Sequence, residues 1–416
     1  MNKYVSNLVK EARSNSYLTA AISTRVKNKL LKSMASALVK RKTFIIEQNR
    51  KDITDAGKKK MKKSFVDRLK LNDKRINEMA QSLKEIAALD DPIGEVIAGY
   101  KRPNGIFISK VRTPIGVILI IYEARPNVTS DCVGLCFKSS NIAILRGGSA
   151  AINSNRAIFR VLKEVVQKEK LGFMPFFFID NTDYSVMDSL LKSSGFIDLV
   201  IPRGGESLIK RVTENSLIPV IKHYKGVCHV FIDKSADYRK ALDICVNAKV
   251  QRPSVCNAVE TILVHKNEAV NFLPLLKKEF DKYNVKIRGC RKTRKILKSV
   301  DTADEKDWYT EYLDLTVSIK IVEDVSEAVS HINFYGSHHT DSIITEDLGN
   351  ASRFVNGVDS SCCFVNISTR FSDGYQFGLG AEIGISTDKL HARGPMGLKE
   401  LTTYKYVVYG DGQIRT

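Results

Sequence analysis

IGVILIIYEARPNVTSDCVGLCFKSSNIAILRGGSAAINSN, Ile115–Asn155, holds a complete unit of a parallel sheet. Val117–Tyr122 is an unbroken apolar, β-branched run, of the length and kind that a strand covered on both faces requires. Arg125-Pro126-Asn127 then opens a helix, with proline suited to the first turn. Ile142–Leu145 is a second apolar run, which delivers Arg146, Gly147 and Gly148 to the start of a helical segment, Ala150–Lys168. Strand, helix, strand and helix in this order argue for βαβ units and an open α/β sheet.

The alternation continues in both directions. Ile106–Val111 precedes it, and Phe176–Ile179, Leu199–Ile201, Val220–Lys222 and Val230–Ile232 follow, with a helix over Tyr184–Leu191. A second series starts at Val259–His265 and runs through a helix Glu268–Tyr283 and strands near Val285–Ile287, Val317–Val322, Ser342–Ile344 and Cys363–Asn366. Helices Val325–Ile332 and Leu348–Val355 lie among them. Two α/β units in tandem follow, with a boundary near Ile232–Ala236. About ninety residues at the start read as helices, with Leu30, Leu31, Met34 and Leu38 at three- and four-residue spacing. Thr402–Tyr409 reads as a strand and Tyr100–Val111 as half a hairpin. Either is an edge that could pair with another subunit, so a homo-oligomer is expected.

Composition narrows the class. The 416 residues are 43% hydrophobic and 27% charged, ordinary for a folded soluble chain of two or three structural units. The longest apolar run, Ile115–Tyr122, falls far short of the roughly 20 residues that cross a bilayer. MNKYVSNLVKEARSNS has no apolar core ending in a cleavage site, so a cytosolic protein is expected. Eight cysteines in this length make no disulfide framework, and neither they nor His331, His338 and His339 have zinc spacing. The net charge of +19 lies largely in stretches such as Lys58–Lys63, without interleaved aromatics or a nucleic-acid motif. Anionic small molecules explain that charge better than nucleic acid does.

Four segments carry candidate chemistry. In AKVQRPSVCNAVETILVH, Ala248–His265, Cys256 stands in a turn before a strand, with Arg252 and Lys249 upstream. Cationic neighbours raise the thiolate fraction, although packing in the core like its seven companions is the commoner role for such a cysteine. Asn127, at a strand–helix junction, can donate its amide to a developing oxyanion, or serve as a turn residue. Arg146-Gly147-Gly148 and Arg203-Gly204-Gly205 are strand–glycine–helix junctions where backbone N–H groups can approach phosphate. Neither matches G-x-G-x-x-G. The arginine beside each pair suits a 2′-phosphate, hence NADPH. Last, Val365–Pro395 is a long glycine-rich stretch of the kind that is functional or disordered. Phe371, Phe377 and Leu379 read as buried within it. Arg370 can pair with a carboxylate or phosphate.

These segments resemble the aldehyde dehydrogenase superfamily, and within it the γ-glutamyl phosphate reductase branch. VEDVSEAVSHINFYGSHHTDSI, Val322–Ile343, agrees throughout with that branch's motif, and YEARPNVT, QRPSVCNAVET, DWYTEYLDL, STRFSDG, QFGLGAEIGIS and KLHARGPMGL follow its order. The resemblance implies a Rossmann-like NADPH-binding domain (1–99 and 114–232), an α/β catalytic domain (233–396) and an oligomerisation arm (100–113 and 397–416). It implies Cys256 as nucleophile, Asn127 as oxyanion amide, Arg146 at the cofactor's adenosine ribose and Glu311 at its nicotinamide ribose. Arg252, Ser368, Thr369 and Arg370 become the candidate substrate contacts. The implied substrate is L-glutamyl 5-phosphate; whether the preceding glutamate kinase associates with this chain to hand it over stays open. Val220–Val230, VIKHYKGVCHV, lacks the water-activating glutamate of hydrolysing relatives, and Lys225 stands where this branch would have an acidic residue. An aldehyde dehydrogenase acting on another aldehyde, or one using coenzyme A, is the nearest alternative. A non-catalytic nucleic-acid binder is the remoter one.

Overall fold

The computed structural model describes residues 3–61, 63–222 and 225–415. The chain divides into two units: Met1–Lys222 with Gly378–Gly384 and Met396–Thr416, and His223–Phe377 with Ile385–Pro395.

The first unit opens with helices α1 (Lys3–Ala20), α2 (Thr24–Lys40), α3 (Lys42–Lys58), α4 (Lys63–Leu69) and α5 (Asp73–Ala88). Leu30, Leu31, Met34 and Leu38 form the buried stripe of α2, as the spacing predicts. The β1 (Val96–Lys101) and β2 (Phe107–Pro114) hairpin comes next, then β3 (Val117–Tyr122), α6 (Asn127–Lys138), β4 (Ile142–Gly147), α7 (Ile152–Lys168), β5 (Phe176–Phe178), α8 (Tyr184–Leu191), β6 (Leu199–Arg203) and α9 (Glu206–Asn215). The last four strands form a parallel sheet in the order β5-β4-β3-β6. Every residue of β3 and β4 is buried. Their apolar side chains meet α1, α8 and α9 through Val5, Val9, Leu190 and Val212. Each such side chain taken out of water contributes about 1.5–3 kcal/mol.

The second unit contains β7 (Cys228–Ile232), α10 (Tyr238–Val250), β8 (Val259–His265), α11 (Ala269–Asp281), β9 (Lys286–Gly289), α12 (Arg291–Ile296), β10 (Asp301–Thr302), α13 (Glu305–Trp308), β11 (Thr316–Val322), α14 (Val325–Tyr335), β12 (Thr340–Ile344), α15 (Leu348–Gly357) and β13 (Cys362–Val365). These strands form one seven-stranded sheet in the order β10-β9-β11-β8-β7-β12-β13, parallel throughout. Aspartates start the helices: Asp237, Asp324 and Asp347 cap α10, α14 and α15 by accepting backbone N–H groups. Strand β7, read from the sequence with the first series, pairs instead with β8 and β12. Val220–Lys222 forms no strand and contributes one bridge, Val220 to Val200. A buried apolar run announces a strand but not its neighbours, so the unit division falls at Lys222/His223 and not at Ile232–Ala236.

Two short strands, β14 (Gly384–Ser386) and β15 (Gly394–Met396), pair with each other, and β16 (Thr402–Tyr409) closes the chain's secondary structure. Strand β16 lies antiparallel to β2, from Thr402 opposite Pro114 to Tyr409 opposite Phe107. The arm sheet therefore has the order β1-β2-β16, with β1 and β16 as edges. Val96, Tyr100, Tyr404, Tyr406 and Tyr409 are exposed on it. Phe371 and Phe377, read as buried, are 43% and 44% exposed. Their loop is fixed by hydrogen bonds rather than apolar anchors, and Phe377 only touches Phe364 with ring centroids 6.2 Å apart.

Candidate active site

In the second unit the turn between α10 and β8 carries Cys256, half-buried and open on one side. Its backbone is held from beneath. A β-carbon on Gly226 would stand 2.0 Å from the Cys256 carbonyl oxygen, so only glycine fits there. The Cys228 thiol donates to that same oxygen at 3.2 Å. Glu311 accepts the Gly226 N–H at 3.0 Å, which ties the TEYLDL segment to the floor of the Cys256 turn. At the base of the turn, Lys249 donates to Glu260 at 2.5 Å, and neither side chain has any exposure. Burial pushes the Glu260 carboxyl up to about 8 and holds the Lys249 ammonium down, each opposed by its partner.

The residue after Cys256 organises the neighbouring loop, 368–373. Asn257 donates to the Ser372 carbonyl at 2.8 Å, and its own carbonyl accepts from the Thr369 hydroxyl at 2.7 Å. Its amide oxygen accepts from Arg370, whose Nε also donates to Gln251 at 2.8 Å. Burial, then the charge of Arg252, lowers the Arg370 guanidinium from its usual value, while Asp373 and Cys256 oppose the shift. The fold thus ties Thr369 and Arg370 to the turn that carries Arg252 and Cys256, and the Arg370 guanidinium lies within electrostatic reach of both. Ser368 is buried, and its hydroxyl caps the short turn over Thr369–Phe371. Asn257 escaped the sequence reading; its only signal was adjacency to the cysteine. His223 and Tyr224, in the stretch that lacks the glutamate base, lie outside the described residues, and Lys225 beside them is half-buried.

The other cysteines differ from Cys256 in environment. Burial pushes the thiols of Cys132, Cys228 and Cys245 well up, and Cys136 up to about 12. Among the described residues no group of three or more His, Cys, Asp or Glu is arranged to hold a metal ion.

In the first unit Asn127 is the first residue of α6 and is exposed. By contrast Arg146, near the end of β4, is only 6% exposed. It donates to the Thr182 carbonyl at 2.6 Å, and its buried Nε has no hydrogen-bond partner. Its guanidinium lies 5.6 Å from the Tyr184 ring centroid, and that of Arg211 lies 4.3 Å from the same centroid. Beside them is a cavity of about 520 Å³ lined by Glu123, Tyr184, Leu208, Lys210 and Arg211 among others. Its lining joins the aromatic face of Tyr184 and the apolar side chain of Leu208 to two cations, Lys210 and Arg211, and two carboxylates, Glu123 and Glu214. A larger hollow of about 650 Å³ on the α10–α11 face, lined by Arg239, Asp243 and Tyr283 among others, reaches the site only at Gln251, the partner of Arg370.

Both glycine junctions already hold a carboxylate. Asp52 accepts from the backbone of Asn153 and Ser154 at 3.2 and 2.8 Å, at the start of α7. Glu123 accepts from Gly205 N–H at 2.9 Å, at the start of α9. Gly147 is glycine because a β-carbon would stand 2.1 Å from the Asn155 amide, and Gly204 because one would meet Glu123. Gly148 packs on the Glu123 backbone. Arg203 points its guanidinium at Gly384, where an added β-carbon would lie 2.4 Å away, and is absent from the cavity lining.

A probable aldehyde dehydrogenase from Listeria monocytogenes superposes with a TM-score of 0.71 at 14% identity, covering 99% of this chain and 97% of that one. The fold is therefore aldehyde dehydrogenase-like. Much closer are a Gamma-glutamyl phosphate reductase of Thermodesulfovibrio yellowstonii, 53% identical over 100% of this chain and 99% of that protein, and the crystal structure of Gamma-glutamyl phosphate reductase from Thermotoga maritima. The latter has a TM-score of 0.96 and 47% identity, covering 99% of this chain and 100% of its own. The chain belongs to the gamma-glutamyl phosphate reductase family, a family of oxidoreductases. No family model matches the chain.

Proposed function

We propose that this chain reduces L-glutamyl 5-phosphate to L-glutamate 5-semialdehyde and phosphate with NADPH, the second step of proline biosynthesis from glutamate. The observation that carries this is 53% identity, end to end, with a protein named for that reduction. The Cys256 thiolate attacks the acyl carbon. Negative charge develops on the carbonyl oxygen, and the Asn127 amide and the Cys256 N–H stabilise it. Phosphate leaves without an acid catalyst, and the acyl group remains as a thioester on Cys256. Bound NADPH supplies hydride, and the thiohemiacetal on Cys256 collapses to the aldehyde. Arg252 and Arg370, with Ser368 and Thr369, hold the substrate's phosphate and α-carboxylate.

Tyr184 and Leu208 would hold the cofactor's adenosine end, and Arg146 and Arg211 would meet its extra phosphate. The unpartnered Arg146 Nε supports this assignment. Glu311 remains the candidate for the nicotinamide ribose. The chain works in the cytosol as a homo-oligomer joined through its arm sheet.

The test is the reverse reaction, followed by nicotinamide absorbance with semialdehyde, NADP⁺ and phosphate. Wild type should reduce NADP⁺ only when phosphate is present, and Cys256→Ser should be inactive. Turnover that ignores phosphate, or that survives in Cys256→Ser, would exclude the proposal.

A further inference from the structure

An exposed asparagine amide is ambiguous: its two ends look alike in shape and are opposite in polarity. Turned one way Asn127 offers a donor to an oxyanion; turned the other way it offers a carbonyl oxygen, which repels one. At the first residue of α6 nothing in the helix itself selects between the two. The neighbour one turn along does. Asn127 Nδ2 donates to Asp131 Oδ2 at 3.0 Å. An ionised carboxylate only accepts, so the flipped amide would press oxygen against oxygen. The other carboxylate oxygen, Oδ1, accepts from the Ser82 hydroxyl at 3.0 Å, which anchors Asp131 to α5.

We propose that Asp131 is a positioning residue that fixes the Asn127 amide with its nitrogen outward-facing, one N–H spent on the carboxylate and the other free for the oxyanion. This rests on the reading of Asn127 as the oxyanion donor. The geometry is a relay from α5 through Ser82 to Asp131 to Asn127, and each link is a single hydrogen bond. Burial pushes the Asp131 carboxyl up to about 6, against the pull of Asn127, Ser82 and the Arg203 charge. Cys132, the other titratable neighbour, is held neutral by burial. Above that pH the carboxylate accepts only and the amide is locked; below it the acid can donate to the amide oxygen and the lock opens.

The experiment is a double-mutant cycle in kcat with wild type, Asn127→Ala, Asp131→Asn and the double variant, in the reverse assay. Asn127→Ala should lose roughly 100- to 1000-fold. Asp131→Asn presents both a donor and an acceptor, and should lower kcat at least threefold, with KM unchanged and the acid limb near pH 6 abolished. It should cause no further loss on the Asn127→Ala background. A purely structural role predicts the same factor in both backgrounds, and that result, or a loss below threefold, overturns the positioning role. Undiminished kcat in Asn127→Ala overturns the donor reading itself. Should Asp131→Asn not fold, Ser82→Ala enters the same cycle with the same criteria.

Discussion

Gly226 lies against the backbone of Cys256 so closely that a β-carbon on Gly226 would come within 2.5 Å of the Cys256 Cα. The position of Cys256, the proposed nucleophile, is therefore set by an absence, a missing methyl in the floor beneath it. Gly226→Ala must push the turn outward. An overpacked site of this kind costs about 1–3 kcal/mol of stability. A displacement near 1 Å at the reacting atom costs on the order of 100-fold in rate. The variant is expected to melt as one transition yet lose most of its kcat, with slower iodoacetamide capture of Cys256. Wild-type kcat in Gly226→Ala would show that the turn is not held from below.

The buried Lys249–Glu260 pair brackets the same turn, seven residues before the cysteine and four after it. Removing one partner leaves the other without its counter-charge in a fully buried place. Lys249→Met is expected to cost about 3–5 kcal/mol in urea denaturation. The double variant Lys249→Met/Glu260→Met, which leaves no charge behind, should recover most of that loss. Equal destabilisation in the two proteins would mean that the pair contributes by shape alone.

The cavity beside Tyr184, proposed for the cofactor, makes a charge-specific prediction. The guanidiniums of Arg146 and Arg211 lie 5.6 and 4.3 Å from the Tyr184 ring centroid. A hydrogen bond to a charged group contributes about 1.5–3 kcal/mol. Arg211→Ala and Arg146→Ala should each raise the KM for NADPH about ten-fold or more, while the KM for NADH moves less than threefold. Parallel losses for both cofactors would place the 2′-phosphate elsewhere.

Much of this was legible before any coordinates, for a physical reason. Runs such as Val117–Tyr122 are buried on both faces, so their composition alone betrays a parallel strand. Sheet membership was not legible, because a fully apolar strand such as β7 fits any buried slot. The glycine pairs were found, but their meaning changed. Gly147 is explained by Asn155 on the helix that follows it, and Gly204 by Glu123, just past the end of the neighbouring strand β3. Asn257 and Asp131 were invisible for a related reason. Each acts by hydrogen bonds to a partner that only folding brings close, Arg370 in one case and Ser82 in the other.

His331, on α14, gives the fold a dependence on pH. Its ring is 3% exposed, edge-on to Trp308 and His229, and its Nε2 is buried with no hydrogen-bond partner. Burial first, then the charges of His229 and Lys320, push it down to about 2. An unfolded histidine titrates near 6.5, so its depressed folded value contributes stability that is present above pH 6.5 and lost as pH falls below it. One such group gives a slope approaching ~1.4 kcal/mol per pH unit. Between pH 6.5 and 5, His331→Phe should lose less stability than wild type by up to that slope. Identical slopes in the two proteins would assign the acid sensitivity to other groups.

Thiol labelling separates the nucleophile from its seven companions. Cys132, Cys136, Cys228 and Cys245 are sealed and their thiols pushed up by burial, and Cys363 is pushed up to about 11. Cys362 is buried and also raised. Cys290 is half-buried, but its sulfur is engaged at the start of α12, where it accepts the Thr293 N–H. Cys256 combines partial exposure with two guanidiniums in its neighbourhood, and thiolate rather than thiol is the reactive form. Substoichiometric iodoacetamide at pH 7.5 should therefore label Cys256 first, by peptide mass spectrometry, and abolish activity in step with that one adduct. Arg370→Ala removes a cation from beside the sulfur and should slow the labelling. If Cys290 or Cys363 reacts first while activity persists, the sulfur at position 256 is not the activated one.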